Sequence, residues 1–63
     1  MNKQDFLRMK VRKLKWEENI SYKVIAEDLL DMKYHSFINW LHRYKDLGNK
    51  RIMILTDFIN TIE

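Results

Sequence analysis

A chain of 63 residues and 7.8 kDa has room for one small domain spanning 1–63 and none for a second, because so short a chain buries only part of the surface its unfolded form exposes. Hydrophobic residues at 46% and aromatics at 13% suffice for a core and exclude a disordered segment, while the lack of cysteine excludes a disulfide framework and thiolate chemistry. The net charge of +3 lies wholly in residues 1–20, where six bases face three acids; the remaining residues hold six of each sign.

That excess sits chiefly in RMKVRKLK, a basic stripe able to engage phosphates or simply to form a solvated helix face. The amino-terminal MNKQDFLRMK lacks the apolar run of a secretory signal, and no apolar stretch approaches the length of a bilayer span. A cytoplasmic location without membrane contact is expected.

The first predicted helix begins near Asp5 as its cap and runs to about Asn19. Leu7, Val11 and Leu14 form its inner stripe, widened by Trp16 or Phe6, and Arg8, Arg12 and Lys15 stand on the opposite face. Ser21 then caps a second helix of about ten residues, with Val24, Ile25 and Leu29 inward and small Ala26 beside them.

Phe37, Trp40 and Leu41 recur at i, i+3 and i+4, with Ile38 nearby, and predict a third helix from Lys33 or His35 to Tyr44. Gly48 is suited to the left-handed backbone past that helix, and Asn49 to capping the next. Ile52, Leu55, Ile59 and Ile62, with Phe58 beside them, define the last helix. The expected fold is all-α, a small bundle of about four helices.

Catalysis finds no support. There is no glycine-rich phosphate loop, and the acids of Glu17-Glu18 and Glu27-Asp28 are adjacent, so neither pair converges on one point. His35 and His42 lie two helical turns apart, roughly 10 Å, too far to share a metal without further ligands. No enzyme, metal or cofactor is expected.

Ile20, Ser21, Ile25, Ala26 and Leu29, followed by a turn and then Met32, Phe37 and Trp40, resemble the pattern of the Cro and lambda-repressor class of helix-turn-helix proteins, especially its short bacteriophage and prophage versions. The resemblance covers roughly residues 20–59, with the motif at about 21–44. Two departures stand out. Leu30-Asp31 replaces the usual glycine of the turn, which Asp31 can accommodate in a left-handed backbone, and one extra residue lies between Leu29 and Met32.

The resemblance implies a dimeric regulator, such as a repressor, that binds double-stranded DNA through the second helix of the motif. Carried onto this chain, the reading surface is Lys33, Tyr34, His35 and Ser36, then Asn39 and Arg43 one and two turns later. The resemblance implies Asn39 as a partner for adenine, and Arg43 or Lys33 for guanine or phosphate. Ser21, Tyr22 and Lys23 are implied phosphate contacts, which Arg8, Arg12 and Lys15 can extend. The homodimer surface is expected on the last helix, Ile52 to Ile62. The alternative is the same scaffold turned to protein binding, as in a phage-encoded corepressor or inhibitor of a host regulator, polymerase or nuclease, with Tyr34, His35 and exposed apolar residues as contacts.

Overall fold

The computed structural model describes residues 2–62 and is all-α, with four helices and no strand among them. They are α1 (Lys3–Glu17), α2 (Val24–Leu29), α3 (Tyr34–Leu41) and α4 (Asn49–Ile62).

Helix α1 starts earlier than its sequence suggests. Asn2 is the cap, its side chain accepting from the Asp5 amide at 2.8 Å, so Asp5 falls in the first turn, where its charge favours the helix dipole. The helix stops at Glu17 because Asn19 takes a left-handed backbone (φ 56°). Leu7, Val11 and Leu14 are buried as expected, but Trp16 and Phe6 are 84% and 44% exposed and do not widen the inner stripe.

The Ser21 hydroxyl accepts from the Val24 amide at 3.1 Å, which confirms the expected cap. The helix it caps is not α-wound: α2 is a π-helix, and the Leu30 amide reaches back five residues to the Ile25 carbonyl at 3.0 Å. A five-residue repeat sets Leu30 over Ile25, and these two, with Ala26, are buried. Leu29 is only half-buried and Val24 is exposed, contrary to expectation.

Asp31, at φ 52°, then turns the chain in the left-handed region its side chain tolerates, and the Met32 amide closes on the Ala26 carbonyl at 2.9 Å. Arg51 of α4 donates to the Leu30 and Asp31 carbonyls at 3.0 and 3.2 Å, so α4 fastens this turn. Replacing Leu30 by alanine should therefore cost about 2 kcal/mol or more, and the same change at Leu29 distinctly less. Urea unfolding of the two variants measures the difference, and the reverse order would refute the π register.

Helix α3 ends at Leu41, short of Tyr44. Its last turn closes on Arg43 at φ 69°, with the Arg43 amide bonded to the Trp40 carbonyl and the Tyr44 amide to the Asn39 carbonyl at 3.0 and 2.9 Å. This is the arrangement glycine usually ends, built here on arginine. Gly48 does not have a positive φ. It stands just before α4, where its carbonyl accepts from the Ile52 amide at 3.0 Å.

The core lies where the inner stripes of α1, α3 and α4 meet α2, around the fully buried Trp40, Phe37, Ile25, Leu55 and Val11. Ile52, Leu55 and Ile59 of α4 are buried in it, with Ile62 and Phe58 packed at its edge. No helix among the described residues is long and apolar enough to cross a membrane.

Candidate nucleic-acid interface

The end of α1, the entry to α2 and the start of α3 meet around an open concavity of about 510 Å³, lined by Lys15, Ser21, Tyr22, Lys23, Glu27 and Tyr34. Five of these six are residues that the sequence points to as nucleic-acid contacts. Lys15 arrives because α1 carries it past Tyr22, holding its ammonium 4.3 Å from the ring centroid. Tyr22 is half-buried against the Phe37 ring, centroids 6.2 Å apart, so its ring forms a fixed wall.

Glu27 tempers the charge of this concavity and also lines its neighbour, where it stands with Asp31, Met32 and Lys33. Lys33 is thus parted from Lys15 and Lys23 by a carboxylate. In the sequence Glu27 stands out only as half of an adjacent acid pair; its position four residues after Lys23 is the signal that could have placed it here.

On α3 the core side is set by Phe37, Trp40 and Leu41, which leaves His35 and Asn39 exposed, Tyr34 44% exposed and Ser36 half-buried. No acid occurs between Met32 and Lys45, so the outer surface of this segment carries no negative side chain of its own.

Arg43 does not stand two turns along α3 as expected. It lies beyond the helix end, exposed, with its Nε 3.3 Å from an Asp5 carboxylate oxygen. Tyr44, also beyond the helix and 81% exposed, stacks on His42 with centroids 6.4 Å apart.

The larger correction concerns Arg8, expected as a phosphate contact but only 4% exposed. Its Nε donates to the Trp40 carbonyl at 2.6 Å, Nη1 to Asp5 at 2.9 Å, and Nη2 to the Lys45 carbonyl and to Asp46 at 3.0 and 3.2 Å. Arg12 remains exposed while donating to the Leu41 carbonyl at 2.9 Å. Two bases of α1 therefore satisfy carbonyls at the end of α3, where the helix dipole favours cations. Of the three α1 bases expected at phosphates, Lys15 alone lines the concavity.

Sequence reasoning also missed Gln4. Its Oε1 accepts from the Trp40 indole N–H at 2.7 Å and the Leu47 amide at 3.2 Å, and its Nε2 donates to the Leu47 carbonyl at 3.0 Å. No group of three or more His, Asp or Glu among the described residues could hold a metal ion.

The fold and this surface define an all-α bundle with a basic, tyrosine-walled concavity beside an acid-free helix. No protein-family model matches the chain, and neither a curated protein nor a solved structure is similar to it.

Proposed function

We propose that the chain is a small helix-turn-helix regulator that binds double-stranded DNA, of the phage or prophage type its sequence resembles. The observation that carries this reading is the convergence of Lys15, Ser21, Tyr22, Lys23 and Tyr34 on one concavity at the entry to α2 and the start of α3.

Lys15 and Lys23 take backbone phosphates there, with Ser21 and the Tyr22 wall as polar and apolar supports. Lys33, Tyr34, His35 and Asn39 face the bases from α3, Asn39 offering the amide that pairs with adenine. Arg43 enters as a contact at the edge, exchanging its pairing with Asp5 for a phosphate. Neither catalysis nor a cofactor forms part of this reading.

Lys15, Lys23 and Arg43 neutralise only three phosphates per chain, so firm binding requires two chains on one site. Ile52, Leu55 and Ile59 face the core of their own chain, so the pairing surface lies elsewhere than the inner stripe of α4.

Fluorescence anisotropy of a labelled duplex, at low and near-physiological salt, tests the reading. Binding should weaken steeply with salt, with a log–log slope of roughly three per chain. Lys15→Ala and Lys23→Ala should each lower that slope by about one. Glu27→Gln should tighten binding, since it removes the negative charge between the lysines. Absence of binding at low salt would refute the proposal and turn the search to a host regulatory protein held through Tyr34 and His35.

A further inference from the structure

Helix α2 is wound against its own sequence. Val24, Ile25 and Leu29 are spaced for the inner face of an α-helix, yet Val24 is exposed, Leu29 is half-buried, and Leu30 takes the buried seat over Ile25. The two leucines are adjacent and identical, so either fills that seat with the same volume. A change of donor at two carbonyls separates the windings. In the π register the Ile25 carbonyl accepts from the Leu30 amide at 3.0 Å, and the Ala26 carbonyl from the Met32 amide at 2.9 Å. In an α register, where each amide reaches back four residues, the same two carbonyls accept from Leu29 and Leu30.

Support for the observed register comes from outside α2. Arg51 of α4 donates from Nε to the Leu30 carbonyl at 3.0 Å and from Nη2 to the Asp31 carbonyl at 3.2 Å. One guanidinium spans both carbonyls with Leu30 seated and Asp31 in the left-handed region at φ 52°. Winding of the π type is rare and recurs at functional sites.

We propose that α2 is a two-register element, a π-to-α switch whose π state is latched by Arg51. Release of the guanidinium lets α2 rewind: Leu29 replaces Leu30 in the seat, Leu30 passes into the connection to α3, and Asp31 leaves the left-handed region. The buried volume is conserved, so the exchange leaves the rest of the core in place. Glu27 lies inside the rewound stretch and Tyr34 just beyond it, and both line the concavity with Lys15, Tyr22 and Lys23. The register therefore sets the shape of that concavity. Control of DNA binding by the switch rests on the DNA reading, whereas the switch itself does not.

The test uses the full chain without DNA, so its failure leaves the DNA reading standing. Amide-to-carbonyl couplings across hydrogen bonds, measured by NMR, identify the donor at each carbonyl. The native chain should show Leu30 coupled to Ile25 and Met32 to Ala26. Arg51→Met keeps the stem of an exposed residue and removes the guanidinium. It should show Leu29 coupled to Ile25 and Leu30 to Ala26, with hydrogen exchange at the Met32 amide faster by about tenfold or more. Adding Leu29→Asn should restore the native couplings, because a polar amide is costly in the buried seat. Native couplings retained in Arg51→Met would overturn the proposal, as would α-register couplings in the native chain. So would a loss of all couplings in Arg51→Met that Leu29→Asn does not reverse, since the arginine then holds the fold and not the register.

Discussion

Arg8→Ala should cost about 3–5 kcal/mol, much of what a chain of this size has to lose. The guanidinium is nearly inaccessible and is held by two backbone carbonyls and two carboxylates drawn from α1, the end of α3 and the segment leading on to α4. Its removal leaves the Trp40 carbonyl with the Arg43 amide as its remaining donor, opens a buried void beside the Trp40 ring, and leaves the half-buried Asp5 only the exposed Arg43 as a partner. The Asp46 contact adds little, since that carboxylate is 74% exposed and water replaces the arginine there.

Arg8→Lys separates charge from geometry. Lysine keeps the positive charge but cannot present a planar fork to the Trp40 and Lys45 carbonyls together, so most of the loss should persist. Urea unfolding followed at 222 nm, with the exposed Lys13→Ala as control, measures both variants. Native-like stability of Arg8→Ala would remove this arginine from its structural role and return it to the surface charge.

The sequence displays the elements whose apolar spacing is unambiguous. Leu7, Val11 and Leu14, and likewise Ile52, Leu55 and Ile59, recur at a period only one face of a helix can satisfy, and both sets are buried. Ser21 is legible for a different reason: a hydroxyl three residues before an amide is a local relationship.

Arg8 cannot be read this way, because its carbonyl partners lie 32 and 37 residues away and carbonyls have no sequence signature. A basic residue beside an apolar stripe looks the same whether it faces water or a helix end. Leu29 and Leu30 pose another ambiguity, since α winding favours the first and π winding the second, and both are leucine. Only the backbone path, held by Arg51 at the Leu30 and Asp31 carbonyls, separates them.

The candidate interface is legible in its cations and tyrosines and illegible in its assembly. Lys15 and Tyr34 come from different helices, and their meeting around one concavity depends on the angle at which α1 passes α2. Arg43 shows the converse: its sequence distance from Asn39 suits a helix, but the helix ends first at a left-handed residue. Arginine at that backbone position costs about 1–2 kcal/mol relative to glycine. Its exposed pairing with Asp5, itself held by Arg8, links the edge of the proposed DNA surface to the buried arginine.

Trp40→Ala should leave the chain unfolded at room temperature, with a loss of about 3–5 kcal/mol from the cavity alone. The side chain is fully buried, packs on Phe37 with ring centroids 5.3 Å apart and lies under the Arg8 guanidinium at 5.2 Å. Trp40→Phe is the informative variant. It retains most of the apolar volume but loses the indole donor to Gln4, whose remaining bonds tie down both backbone groups of Leu47. Gln4→Ala should cost about 1–3 kcal/mol, since it frees the Leu47 amide and carbonyl and leaves the indole N–H buried without an acceptor. In a double-mutant cycle the two changes should fall short of additivity by about 0.5 kcal/mol or more, because each removes the same hydrogen bond. Strict additivity in urea unfolding would mean that Trp40 and Gln4 act separately, and that Leu47, not the indole, is what the amide of Gln4 is there to hold.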